Sequence, residues 1–252
     1  MTHPELVLCE LPDTGLVEVE SYSPFCLKVL RACRAAGLPV RRQHAGRPGA
    51  WRHHNPTGQV PVLLVDGEPV ADSTRILARL ESLGGRSLLP SEPRLRAEAL
   101  LWEELADTAL NAFLVASRWA DADNWPRTRA AYFGAAPAPV RAIVPALLRR
   151  RVIASLVQRD VWRAGRGACW ARFAILLDAL EARAPADGFW LEARVGVADV
   201  SLFAQLQGLR TALTPVQRAA VEQRPRLCAW LDRVDRATRA PPGVGRLGRS
   251  AA

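Results

Sequence analysis

The sequence predicts an α/β unit followed by an all-helical one, and three observations carry that prediction. An apolar run, Val60-Pro61-Val62-Leu63-Leu64-Val65, then Asp66-Gly67, then Glu68-Pro69-Val70-Ala71, reads as a hairpin inside a region of short strands and helices. The composition changes at Leu89-Pro90-Ser91-Glu92-Pro93. Beyond it, Arg94 to Trp119 runs without Gly or Pro, and the later periodic stretches have helical spacing. A chain of 252 residues that is 49% hydrophobic is ample for two cores. The expected units are residues 1–86, a linker at 87–93, an all-α domain at 94–240 and a flexible tail at 241–252.

Taken in order, Glu5 to Leu11 is a short apolar run ended by Pro12 and reads as a buried strand. Residues 12–20 form a connection, with room for a short strand from Leu16 to Val19. Ser23 then reads as the N-cap of a helix and Pro24 as its first residue, where a missing N–H costs nothing. Phe25, Val29, Leu30 and Cys33 recur on one face, and Gly37 stops the helix. A helix start carries about half a positive charge and unpaired N–H groups, so it favours an anion such as a thiolate. Ser23 and Cys26 both lie in that field. A weak strand at Val40 to His44 leads into an irregular stretch through Gly58. The Asp66-Gly67 pair suits a type I′ turn, and Asp72-Ser73 opens a second helix directly after the returning strand. Further helices are expected near 140–163, 170–184, 198–212 and 225–239.

Composition narrows the partners. No apolar run approaches the roughly 18 residues that span a bilayer, and the first residues lack the pattern of a leader peptide, so no membrane partner and a cytoplasmic location are expected. Five cysteines at irregular spacing suggest neither a disulfide framework nor a metal site. The net charge is +9, but the arginines are scattered among acids apart from Arg149-Arg150-Arg151, and no aromatic-interleaved basic stripe is present. Nucleic acid is therefore not expected, whereas an anionic small molecule suits the balance.

Four segments resemble the glutathione transferase superfamily: Ser23-Pro24-Phe25-Cys26, the run Asn55-Pro56-Thr57-Gly58-Gln59-Val60-Pro61, Asp72-Ser73, and Gly196-Val197-Ala198-Asp199-Val200-Ser201. The resemblance implies a thioredoxin-like N-terminal domain, an all-helical C-terminal domain, a homodimer, and glutathione as co-substrate without a metal. It implies that Val60-Pro61 is a cis peptide whose Val60 backbone pairs with glutathione, and that Asp72 and Ser73 receive the γ-glutamyl end. Phe25 and Gln59 fall in the same motifs and join this set. His54, Arg52 or His53 would replace the usual basic residue for the glycine carboxylate. Ser23 would donate a hydrogen bond that keeps the glutathione sulfur ionised; read from the residues alone, the alternative is that Ser23, and Asp72 or Ser73, serve only as helix caps.

Cys26 stands either as a buried filler or as the nucleophile of a thiol transferase. Trp119, Asn111 and Arg118 face either a pocket for a hydrophobic electrophile or the core. Gly196 departs from the family's usual Ser or Thr cap and leaves Asp199 to serve alone. The stretch 124–165 is similar in layout to the helical insertion of metaxin-like and failed-axon-connections-like relatives, so the alternative to an enzyme is a non-catalytic scaffold of the same fold.

Overall fold

The computed structural model of the protein describes residues 4–16, 18–46 and 49–239; the tail expected at 241–252 lies outside them. Four strands form one mixed sheet in the order β2-β1-β3-β4: β1 (Leu6–Glu10), β2 (Arg41–His44), β3 (Val62–Val65) and β4 (Glu68–Ala71). β1 is parallel to β2 and antiparallel to β3, which is antiparallel to β4, so β1, β2 and β4 all point the same way. Cys9 pairs with Val62, and Val62 with Ala71. This row has a functional consequence. The segment after β1, the residues before β3 and those after β4 all emerge at one edge of the sheet.

Asp66 and Gly67 both have positive φ, 50° and 87°, as a type I′ turn requires. No strand forms among the described residues between 12 and 20. There the Thr14 hydroxyl donates to the Val19 carbonyl (2.5 Å) and the Val19 N–H to the Leu16 carbonyl (3.2 Å), which makes a turn instead.

α1 (Pro24–Ala35) and α2 (Ser73–Leu80) share one core with Leu6, Leu8 and Leu63, meeting through Val29, Leu30, Ile76 and Leu77. The sequence marks a single buried face on α1. The structure buries almost all of it, Lys28 and Arg31 included, because the helical region packs on the other side.

That region begins with α3 (Pro93–Leu105), which continues through a π-wound turn (Ala106–Leu110), α4 (Asn111–Val115) and a second π-wound turn (Ala116–Ala120). α5 (Trp125–Phe133), α6 (Ala138–Gln158), α7 (Gly165–Arg183), α8 (Val197–Leu209), α9 (Pro215–Glu222) and α10 (Pro225–Thr238) follow. α5 and α9 are not foreseen. The reason is proline: at the first or second helical position it opens α1, α3, α5, α6, α9 and α10 rather than breaking them. Inside α6, Pro145 has no N–H for the Arg141 carbonyl four residues back, and Arg129 Nη2 donates to that carbonyl at 3.1 Å instead.

α8 is the buried centre of the helical region. Its start explains the missing Ser or Thr: a Cβ at Gly196 would lie 2.8 Å from the Leu88 carbonyl oxygen. Asp199 caps alone, as expected, with Oδ2 accepting from the Gly196 N–H (3.0 Å) and Oδ1 from the Trp190 N–H (2.8 Å) and Trp230 Nε1 (2.9 Å).

Candidate active site

The site is built from the end of β1. The Glu10 carboxylate, 1% exposed, accepts from Arg42 Nε (2.5 Å), Arg42 Nη2 (3.0 Å) and the Ser21 hydroxyl (3.0 Å). Arg42 Nη2 also donates to the Glu20 carbonyl at 2.6 Å, which ties the entry to α1 onto the sheet. Ser23 follows as the observed N-cap, extended at φ −93° and ψ 118°, with Oγ accepting from the Cys26 N–H at 3.3 Å. From the helical side, the buried Arg118 donates to the Tyr22 carbonyl (2.8 Å), the Gly208 carbonyl (2.9 Å) and the Tyr132 hydroxyl (3.0 Å). Ser23 thus sits on a segment held from both sides.

Cys26 is completely buried, and burial pushes its thiol far above the ordinary range, against the downward pull of the Ser23 hydroxyl and the Leu11 backbone. A thiol in that state is not an activated nucleophile. The same cause pushes Cys9 up to about 11 and Cys33 and Cys169 up to about 12, and all five cysteines are unpaired.

At the same sheet edge, Val60-Pro61 is cis, with Val60 half-buried and Gln59 exposed. Phe25 is half-buried in the first turn of α1. Asp72 is exposed and caps α2, its Oδ1 accepting from the Arg75 N–H at 3.1 Å, while Ser73 is the first helical residue. Asp72 holds φ at 79°, a conformation that residues with a side chain seldom adopt and that recurs where chains bind ligands. The ends of β1 and β4, which lead toward α1 and α2, are two strand spacings apart across the sheet, about 10 Å. An extended tripeptide covers about the same distance.

The loop after β2 separates its residues. Trp51 is buried and donates from Nε1 to the Glu10 carbonyl (2.9 Å), packing with Cys9 and Val62 away from α1. It is a plug rather than a pocket wall. His54 lies against His53 with ring centroids 3.9 Å apart and the rings tilted by 45°, and burial, then His53, hold it below the ordinary histidine range. Arg52 is exposed and lies across Gly49 and Gly58, where added Cβ atoms would come within 3.1 and 3.3 Å of its Nε.

The three residues expected to face an electrophile divide. Asn111 is buried and donates to Gln205 Oε1 (3.3 Å) in the core, and Arg118 is committed to the carbonyls above. Both side chains are buried, and the hydrogen bonds they make run to the protein's own backbone and side chains. Trp119 remains half-buried against Trp125, Tyr132 and Phe133, with centroids 5.7, 5.5 and 6.3 Å away. Tyr132 in turn packs against Tyr22, ring centroids 4.4 Å apart and tilted by 37°, so this aromatic cluster adjoins Ser23.

One further group escaped notice in the sequence. Lys28 Nζ, fully buried, lies 2.6 Å from both Glu103 Oε1 and Asp107 Oδ2, and the Thr74 hydroxyl donates to the same Glu103 oxygen at 2.9 Å. The cluster ties α1, the first turn of α2 and the first π-wound turn together. Lys28 is the only lysine in the chain, and that singularity was the available signal.

Comparison with known proteins follows the same division. The pattern of the glutathione S-transferase N-terminal domain matches residues 24–124, and that of the glutathione S-transferase C-terminal domain matches residues 145–233. Glutathione transferase GST 23 of Zea mays is 37% identical over 98 residues, which are 36% of this chain and 44% of that protein, so the chain matches less than half of that relative's length. Protein LigF of Sphingobium sp. is 26% identical over 200 residues, 72% of this chain and 71% of that one. The crystal structure of beta-etherase LigF superposes with a TM-score of 0.60 at 22% identity, covering 94% of this chain and 96% of that one. Rice GST1 in complex with glutathione gives 0.57 at 22% identity, covering 94% and 88%. The structural likenesses establish the fold, and the two domain patterns in order establish the family: the chain belongs to the glutathione S-transferase superfamily.

Proposed function

We propose that the protein is a glutathione transferase that binds the tripeptide along the edge formed by α1, the Val60-Pro61 bond and α2. The observation that supports this reading is the strand register, since Cys9, Val62 and Ala71 in one row put the end of β1, the cis Val60-Pro61 bond and the entry to α2 at one end of the sheet. In it, Asp72 and the N–H groups of α2 receive the γ-glutamyl ammonium and carboxylate, and the Val60 backbone pairs with the peptide. Among the described residues, Arg52 is an exposed cation of the loop that would meet the glycine carboxylate, with His54 as the other candidate. The Ser23 hydroxyl and the start of α1 hold the sulfur as thiolate. The thiolate attacks a hydrophobic electrophile beside Trp119 and Tyr132. Where the electrophile is an ether, a reading favoured by the likeness to LigF, the new C–S bond replaces a C–O bond and the leaving oxygen takes up a proton.

The buried state of Cys26 favours this reading over a thiol transferase. The expected homodimer finds support in Leu100 and Leu101 on α3, which are 48% and 71% exposed. Five unpaired cysteines accord with the expected cytoplasmic, reducing location.

Ser23→Ala is expected to lower kcat/KM for conjugation by about a hundredfold, as removal of one hydrogen-bond donor to a developing charge does elsewhere, while the calorimetric Kd for glutathione changes by less than about twofold. Unchanged turnover would remove Ser23 from the mechanism. No heat of binding at millimolar glutathione would favour the scaffold.

A further inference from the structure

The stretch from residue 125 to residue 159 holds seven of the chain's 34 basic residues and none of its 25 acidic ones, so it carries +7 of the net +9. Among the described residues none of those seven arginines forms an ion pair. The nearest acids in sequence are engaged elsewhere: Asp121 and Asp123 with Arg166, Asp160 with Arg163 and Arg172. Arg149 turns inward to the Trp119 carbonyl and the Trp125 ring, but Arg150 and Arg151 are exposed.

Among the described residues, the same stretch carries most of the exposed large apolar side chains. Val140, Ile143, Val144, Leu147 and Leu148 recur at helical spacing on α6, and Ile143 and Leu147 are 60% and 59% exposed. They lie away from Pro145, Val152, Ile153 and Leu156, apolar residues through which α6 meets the rest of the protein. The apolar line runs for about 12 Å along the helix before Arg151 continues it, with Arg141 and Arg150 on its two flanks. α6 is thus apolar on both faces, and folding accounts for only one of them.

We propose that the outer face of α6 lies on an anionic lipid surface, with Ile143, Val144, Leu147 and Leu148 entering the acyl boundary and Arg141, Arg150 and Arg151 meeting headgroup phosphates. An apolar stripe between unpaired cations is the pattern of a helix that lies in the membrane interface. Charge selects this occupant over a second copy, because a two-fold axis through this face would bring two uncompensated basic stretches together. Nucleic acid would use the arginines and leave the apolar line without a role. The absence of a bilayer-length apolar run argues only against spanning. Among the described residues no helix is long and apolar enough to cross a membrane, and a surface helix needs no such length.

The test uses the full chain and sedimentation with vesicles of phosphatidylcholine alone or mixed with phosphatidylglycerol. The chain is expected to bind the mixed vesicles at least about tenfold more tightly than the neutral ones, with the preference falling as salt rises. Ile143→Asp combined with Leu147→Asp, and separately Arg150→Glu combined with Arg151→Glu, should each weaken that binding at least about tenfold. Unchanged glutathione affinity and circular dichroism would show that both variants are folded. Equal binding to both vesicle types, or variants that bind as well as the parent, would overturn the proposal. So would an aspartate variant that changes only the sedimentation coefficient of the free protein, which would assign the face to a second copy. So, too, would binding to polyglutamate without any to vesicles, which would assign it to an acidic polypeptide. A protein that binds vesicles but not glutathione would sink the transferase reading and leave this one standing.

Discussion

Helix α1 buries Lys28 and Arg31 inside the protein, whereas α6 turns Ile143 and Leu147 out to solvent. In α1 each buried cation has partners, and those partners come mostly from elsewhere in the fold: Glu103 and Asp107 for Lys28, and Glu20, Asp235 and the Phe203 ring for Arg31. Such pairs add little net stability over a well-packed apolar contact, but they penalise any other docking of the two regions. The exposed residues of α6 have no comparable account within the fold. The contrast separates what holds the site together from what faces outward.

The largest expected effect tests the buried side of this contrast. Lys28→Met removes the cation facing two carboxylates whose side chains are only 6% and 14% exposed, and burial already pushes Asp107 above the ordinary range despite Lys28. It should cost about 3–5 kcal/mol in urea unfolding. The triple change Lys28→Met, Glu103→Gln, Asp107→Asn should recover most of that loss, because the penalty belongs to the unpaired charge. A single variant that loses under about 1 kcal/mol would show that the cluster is effectively solvated and would end the comparison.

Next in size is Asp199, the cap of α8. Asp199→Ala strands three N–H donors and should cost about 3 kcal/mol. It also carries a pH signature. Burial raises the Asp199 carboxyl to about 6, although its N–H partners pull it down. The native state therefore holds a proton that the unfolded chain releases between about pH 4 and 6, and stability from this group falls as pH rises through that window. The stability of the parent minus that of Asp199→Asn should accordingly decline by about 2–3 kcal/mol between pH 4 and 7, and a flat difference would contradict the buried carboxyl.

Arg118→Met comes third, at about 2 kcal/mol, since Tyr22 and Gly208 lose the donor to their carbonyls. Its more telling effect is on turnover. Arg118 positions the residue before Ser23 and touches no reacting atom, so kcat is expected to fall with little change in glutathione affinity.

How far the sequence disclosed these features follows from whether their signals are local. The hairpin, the Ser23 and Asp72 caps and the helical run from α3 through the second π-wound turn were legible because turn, cap and periodicity signals lie within a few residues. α5 and α9 were not, because a proline within a polar stretch reads alike whether it starts a helix or interrupts one. Asn111 and Arg118 suit either a pocket or the core by residue type, and what engages them, Gln205 and Gly208, lies about ninety residues away. The π-wound turns left no sequence trace, although they carry Asp107 and Arg118, both of which reach across to α1 or the segment before it. π-wound turns tend to occur at functional sites, and here they aim those two side chains.

The smallest expected effect sharpens the outward side of the contrast. Leu147→Gln replaces a side chain that is 59% exposed with one of nearly equal helix propensity, and the inward residues Pro145 and Leu156 are untouched. If α6 faces water in the free protein, urea unfolding should move by no more than about 0.5 kcal/mol. The result discriminates only when protein concentration is varied, because a face covered by a second copy makes Tm rise with concentration and makes the substitution costly at the upper end. A concentration-independent Tm together with a near-zero change would leave five apolar side chains exposed without cost to the fold and without benefit to it. Their retention would then be explained only by a surface met outside the free protein.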